Sequence, residues 1–179
     1  MAEAFSNKVA RAAGVVNTAT GGSIGVTTNL ITGISTTGVN LGDLIDNGNY
    51  IAGTKVSTVG AGQVIVDRDS TNTASATSQI VKFLQPSVLY TSPANVKTIL
   101  IGGTFANNTN GQVSLTIQVE DQSTGITVAI ASKIPVPAGS SFVISDTGKT
   151  LLEGNDSLKI ACDTAGAIDA NISILTGVN

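Results

Sequence analysis

The chain has 179 residues and a net charge of −3, with one cysteine, no histidine and no tryptophan; 41% of it is apolar, 12% charged and 3% aromatic. The missing histidine removes the commonest general acid–base, and abundant β-branched residues at low charge argue against disorder. Nine basic residues stand singly, so no clustered basic face or stacking platform points to nucleic acid.

Residues 1–15 read as an N-terminal arm or first strand. A short helix would place Phe5, Val9 and Ala12 on one side, but a helix of this length is marginal in water. The preferred reading is an arm that orders by packing on a partner, with Phe5, Val9 and Arg11 as its contact residues. Its removal is then expected to leave a soluble fold and to weaken association. No apolar run long enough for a signal peptide follows Lys8 and Arg11, so a chain starting near Met1 and made in a cytoplasm is expected.

Residues 16–84 read as a small β-domain of short strands and tight turns. The uncharged stretch from Ala12 to Gly42 is rich in Thr, Asn and Gly, which does not suit a membrane span. Apolar-rich runs at Ile24–Ile34, Tyr50–Val59, Gln63–Asp67 and Gln79–Leu84 are the expected strands. Asn47-Gly48 suggests a turn with positive φ. The run Val64, Ile65, Val66 suggests a strand buried on both faces.

Gln85-Pro86 marks a seam, because proline cannot donate to a sheet ladder. Residues 85–179 read as a second β-domain. Its expected strands are Val88–Thr91, Val96–Phe105, Gln112–Glu120, Ile126–Ala131, Ser141–Ser145, Ser157–Cys162 and Ile168–Leu175. Alternation is clear over Val113, Leu115, Ile117 and Val119, and again over Ile168, Ala170, Ile172 and Ile174, so each strand turns one face inward. Turn residues cluster at 107–111, 123–125, 135–139, 146–148 and 154–156. Regular spacing of this kind predicts an antiparallel sandwich or barrel. No long segment holds a helical apolar period.

Chemistry-bearing residues are few. Asp43, Asp46, Asn47 and Asn49 supply hard oxygen atoms, but the spacing fails for a calcium loop, which needs a carboxylate at its twelfth position. A turn explains them. Asp67, Arg68 and Asp69 read as a polar strand end with local ion pairing. Glu120-Asp121 closes a strand, and Asp156 is expected to accept from backbone amides of its own turn. Cys162 is expected to fill a small buried site. Tyr50 and Tyr90 could stack on sugar rings, though such residues more often cover the end of a core with the hydroxyl wet. Gly60-Ala61-Gly62 leads into a strand, so no helix N-terminus is there for phosphate. No catalytic, metal or cofactor residue stands out, and an enzyme is not expected.

Two stretches resemble virion structural proteins of tailed bacteriophages, especially those of cyanobacteria. Ile31-Thr-Gly-Ile-Ser-Thr-Thr-Gly-Val-Asn-Leu-Gly42, with Gly48-Asn-Tyr-Ile-Ala-Gly-Thr-Lys-Val56 and Val64-Ile-Val66, is similar to a small β-module of phage tail, fibre and capsid-associated proteins. Leu89-Tyr-Thr-Ser-Pro-Ala94, Ile134-Pro-Val-Pro-Ala-Gly-Ser140 and Leu151-Leu-Glu-Gly-Asn-Asp-Ser-Leu-Lys159 resemble a phage β-sandwich whose sequence starts with a segment like Phe5-Ser-Asn-Lys-Val9. The resemblance implies that residues 16–84 are inserted between the first strand and the rest of its sandwich.

The expectation is therefore an all-β protein: an antiparallel β-sandwich, jelly-roll or Ig-like, with a second small β-domain inserted near the N-terminus. The expected role is structural, in a tailed-phage virion, foremost as a capsid decoration (cement) protein on the outer head shell. Its partners would be the major capsid protein or other virion proteins and copies of itself, a trimer among the options, with no nucleic acid, membrane or cofactor. A neck, tail or fibre protein and a carbohydrate-binding adhesin are the alternatives.

Overall fold

The computed structural model describes residues 3–14, 17–145 and 149–178. The turn expected at 146–148 lies outside them. Among the described residues every regular element is a strand, so the all-β expectation holds. The strands fall into two compact units, one drawn from residues 1–14, 86–162 and 166–179, the other from 15–85 and 163–165.

The first unit holds β1 (Ala4–Ala13), β8 (Ser87–Thr91), β9 (Lys97–Asn107), β10 (Val113–Asp121), β11 (Ile126–Val136), β12 (Ser141–Ile144), β13 (Thr150–Leu152), β14 (Ser157–Cys162) and β15 (Ile168–Val178). They form two antiparallel sheets, ordered β1-β15-β9-β12, with β13 also on β9, and β11-β10-β14-β8. Since β12 and β13 both pair with β9, they count as one interrupted strand. The sheets then read first-eighth-third-sixth and fifth-fourth-seventh-second, the order of a jelly roll with two Greek keys.

Alternation builds its core. In β10, Val113, Leu115, Ile117 and Val119 are buried while Ser114, Thr116 and Gln118 are only half so. In β15, Ile168, Ala170, Ile172 and Ile174 face the same core. Phe105, Leu152, Leu158 and Ile160 complete its fully buried centre, with Cys162 also inside. Phe105 packs against Phe142 with ring centroids 6.5 Å apart. Gly103 makes room for this packing, because a Cβ there would stand 2.8 Å from Ile172 Cγ2.

One buried polar residue ties the loops at each end of the sandwich. At one end the Asn107 amide donates to the carbonyls of Gly111 (2.7 Å), Val136 (2.9 Å) and Pro137 (3.1 Å). At the other, Asp156 accepts from Glu153 N (2.9 Å) and Gln122 N (3.1 Å). The role expected for Asp156 is thus seen, and it also reaches a second turn.

Of the two readings of the N-terminal segment, residues 4–13 take that of a first strand, and the preference for an arm is corrected. They form an edge strand in register with β15 from Ala4 opposite Thr176 to Ala13 opposite Ile168, with a bulge after Ala10. Ala13 is buried and Ala10 packs against the core. The segment is neither helix nor free arm, because β15 offers a full-length edge whose backbone groups need partners.

The second unit holds β2 (Asn17–Ile24), β3 (Leu30–Thr32), β4 (Leu44–Asp46), β5 (Val56–Gly60), β6 (Gln63–Val66) and β7 (Ala76–Leu84), ordered β4-β7-β2-β3-β6-β5. The two end strands meet through an antiparallel bridge between Leu44 and Lys55. Ile45 N donates to Thr54 O and Val56 N to Asp43 O, each at 2.9 Å. The sheet thereby closes on itself as a small barrel where residues 42–45 meet 54–56, which covers that part of its edges. Ile24, Ile31, Ile45, Val64, Val81 and Phe83 fill it.

Three strand expectations change here. The run Ile24–Ile34 is a hairpin: β2 ends at Ile24, β3 begins at Leu30, and Thr27 has a φ of 46°. Ser70 holds that turn, accepting from Thr28 N (3.2 Å) and donating to Gly25 O (2.9 Å). Residues 50–54 form turns and the strand starts only at Val56. Val64 and Val66 are buried while Ile65 is half-exposed, so β6 has one core face.

Candidate binding surfaces

The acidic side chains are used locally. Asp43 is buried and its Oδ2 accepts from Asn40 N (2.8 Å) and Gln85 Nε2 (2.6 Å). Asp46 Oδ2 accepts from Ala165 N at 2.9 Å. Asn47 Oδ1 accepts from Asn49 N at 2.9 Å, and Tyr50 N donates to Asn47 O at 3.1 Å. This is an Asx turn, so a turn stands where one was expected, but neither Asn47 nor Gly48 has the positive φ expected with it. The Asn47 amide supplies the turn geometry instead.

Asp67 Oδ1 accepts from Lys55 N at 2.8 Å, and Arg68 Nη1 donates to Ala52 O at 3.4 Å. Both therefore bond backbone, where local ion pairing was expected. An ion pair lies elsewhere, between Lys159 Nζ and Glu120 Oε2 at 2.7 Å. Asp121 Oδ1 accepts from the Ser123 hydroxyl at 2.7 Å. That bond, followed by Thr124, holds its carboxyl below the usual range. Among the described residues no three His, Cys, Asp or Glu residues converge to hold a metal ion.

The two tyrosines differ in exposure, Tyr50 being buried and Tyr90 half-exposed. Tyr50 is 6% exposed and its hydroxyl donates to Thr28 O at 3.2 Å. Burial, reinforced by the Asp69 carboxylate, pushes its pKa up to about 12. Tyr90 packs against the sandwich core, and its hydroxyl lies 3.2 Å from Thr98 Oγ1.

The exposed outer face of the β1-β15-β9 sheet is the surface that stands out. Residues directly opposite across a sheet share a face. Phe5 lies opposite Leu175, Leu175 opposite Ile99, and Ile99 opposite Leu151. The four make one uncharged row across four strands, with Phe5 71% and Leu151 47% exposed. A second row runs Val9, Asn171, Thr104, Val143, and Val9 is 78% exposed. Val9 and Arg11 also line a shallow depression of about 490 Å³ with Thr104, Ala106, Asp169 and Asn171.

Phe5, Val9 and Arg11 thus sit at the edge of a larger face, carried by a strand of the sandwich. Leu175, Ile99, Leu151 and Val143 escaped sequence reasoning. Only the register of four strands shows that they continue the Phe5 and Val9 rows. Ile126 and Val128, at the start of β11, are also more than half exposed.

No family model matches the protein, and no curated protein matches it. Among solved structures it is similar to the structure of infectious bursal disease virus Gt strain, with 14% identity and a TM-score of 0.30. The match covers 96% of this protein and 55% of the other, so it spans about half the length of that neighbour. Likeness at this level leaves function to be read from the protein's own residues.

Proposed function

We propose that the protein is a structural component of a virion, and that in a tailed phage it decorates the outer head shell. The observation that carries this reading is the uncharged row Phe5, Leu175, Ile99, Leu151 on the open face of a jelly-roll sheet. Exposed apolar patches of this kind mark protein contacts. The polar groups singled out as candidate chemistry bond turns and neighbouring strands, so a role without catalysis or cofactor fits them. The resemblance of the 89–94, 134–140 and 151–159 segments to phage sandwich domains supplies the virion context. Copies of the protein would sit side by side on the shell, in contact with the major capsid protein and with each other.

A neck, tail or fibre position uses the same contacts at a different copy number. Burial of Tyr50 removes one of the two tyrosines on which the adhesin reading rests, leaving the half-exposed Tyr90.

Quantitative mass spectrometry of purified particles tests the proposal. A copy number comparable with that of the major head protein supports decoration. The copy number of a single ring supports neck or tail. Presence in infected lysate with absence from particles overturns the virion reading altogether.

A further inference from the structure

Two Asn-Gly pairs occur in the sequence, Asn47-Gly48 and Asn110-Gly111, and the fold treats them differently. Asn47 is held at both ends of its amide. Its Nδ2 donates to Ile80 O at 2.8 Å, and its Oδ1 accepts from Asn49 N at 2.9 Å and Asn49 Nδ2 at 3.0 Å. Asn110 is exposed, in the loop between β9 and β10. Its amide takes part in none of the hydrogen bonds that order this loop, which run among Asn107, Thr109 and Gly111. Space around the glycines does not separate the two sites, because no atom lies within 4 Å of where a Cβ would stand on Gly48 or Gly111. The tether on the asparagine does.

We infer that Asn110 is a site of spontaneous backbone-assisted deamidation in the folded protein, and that Asn47 is protected. In the reaction the Gly111 N–H leaves the Thr109 hydroxyl, to which it donates over a long 3.3 Å, gives its proton to solvent base, and the nitrogen attacks Asn110 Cγ. A bond forms between that nitrogen and Cγ, Nδ2 takes a proton back from solvent, the bond from Cγ to Nδ2 breaks, and Nδ2 leaves as ammonia. Water then opens the resulting succinimide at one carbonyl or the other, leaving aspartate or isoaspartate. The balance is one water in and one ammonia out, with no oxidant or reductant.

The position gives the change a structural consequence. Gly111 O is the acceptor that the buried Asn107 amide holds at 2.7 Å. Isoaspartate at 110 lengthens the backbone by one methylene immediately before that anchor and adds a negative charge to an uncharged loop. The loop end of the sandwich should loosen as the product accumulates.

The test is peptide mapping by mass spectrometry, with isoaspartate detection, on the full-length folded protein held in mildly alkaline buffer. Asn110 should convert first, and Asn47 at least about tenfold more slowly, because its reaction waits on local opening and follows the open population. In concentrated urea the two sites should convert at similar rates. Gly111→Ala, which keeps the loop free of clashes, should slow conversion at 110 in both states. Equal rates at the two sites in the folded protein would overturn the inference. So would a folded-state rate at Asn110 no faster than that at Asn47 while urea accelerates both.

Discussion

Single side chains decide how this fold responds to stress. Tyr50 donates to Thr28 O inside the barrel and holds its proton up to a pKa of about 12. An unfolded tyrosine titrates near 10. Between those values the unfolded state loses a proton that the folded state keeps, so stability falls as pH rises from about 10 to about 12. Below that window the contribution is intact. Tyr50→Phe removes this titration, so urea unfolding followed across the same range should show a shallower alkaline decline in the variant. Asn107 carries a different load, since its one amide group serves three carbonyls. Each buried acceptor left unpaired costs roughly 1–3 kcal/mol, less where water can enter. Asn107→Ala should therefore cost about 2–4 kcal/mol in chemical denaturation. Asn107→Asp should cost more, because an acceptor-only carboxylate would then face those same oxygens.

At the scale of elements, β1 does two jobs that separate experimentally. Its inner residues Ala10 and Ala13 belong to the core, and its backbone completes the edge of β15. Deleting residues 1–13 should forfeit the folded sandwich, since a small domain has a margin of only about 5–15 kcal/mol to lose. Circular dichroism and thermal melting would show this directly. Phe5→Ser with Val9→Ser changes only outward side chains, so its stability should stay within about 0.5 kcal/mol per site while occupancy on particles falls. The β1 case also shows what a sequence announces by itself. Strands β10 and β15 are legible because Val113–Val119 and Ile168–Ile174 alternate without a break. In β1 the only large apolar side chains, Phe5 and Val9, point outward, and the positions paired with core residues of β15 are Ser6, Lys8 and Ala10, so no core-facing apolar pattern marks it. The hairpin at 25–29 is hidden for another reason. Ser70 holds that turn from more than forty residues away, and local composition does not record it. Register is equally silent in sequence, which is why Leu175, Ile99 and Leu151 did not join Phe5 beforehand. The edge strand β11 carries register shifts against β10 and a positive φ at Lys133. Bulges of this sort spoil an edge for chance pairing. Of the exposed surfaces, the sheet face is therefore better suited than this edge to make contacts.

For the whole molecule, the proposed virion role raises the question of what force would hold it on a particle. A charged fraction of 12% and a net charge of −3 leave little for long-range attraction. The Phe5, Leu175, Ile99, Leu151 row has no charge at all. Apolar burial contributes about 25 cal/mol per Å² removed from water, and salt does not screen it. Exposed charge pairs are screened over about 10 Å at 0.1 M and about 3 Å at 1 M. If the sheet face makes the contact, raising salt from about 0.1 to about 1 M should leave the protein on purified particles, since only the screened component weakens. Placing a carboxylate in the row by Phe5→Asp and Leu151→Asp should release it at both salt concentrations, because the charge must be stripped of water on docking. Sedimentation of particles followed by quantification of the bound protein measures both outcomes. Release by salt alone would move the contact to the scattered lysines and arginines, with the apolar row left to some other neighbour.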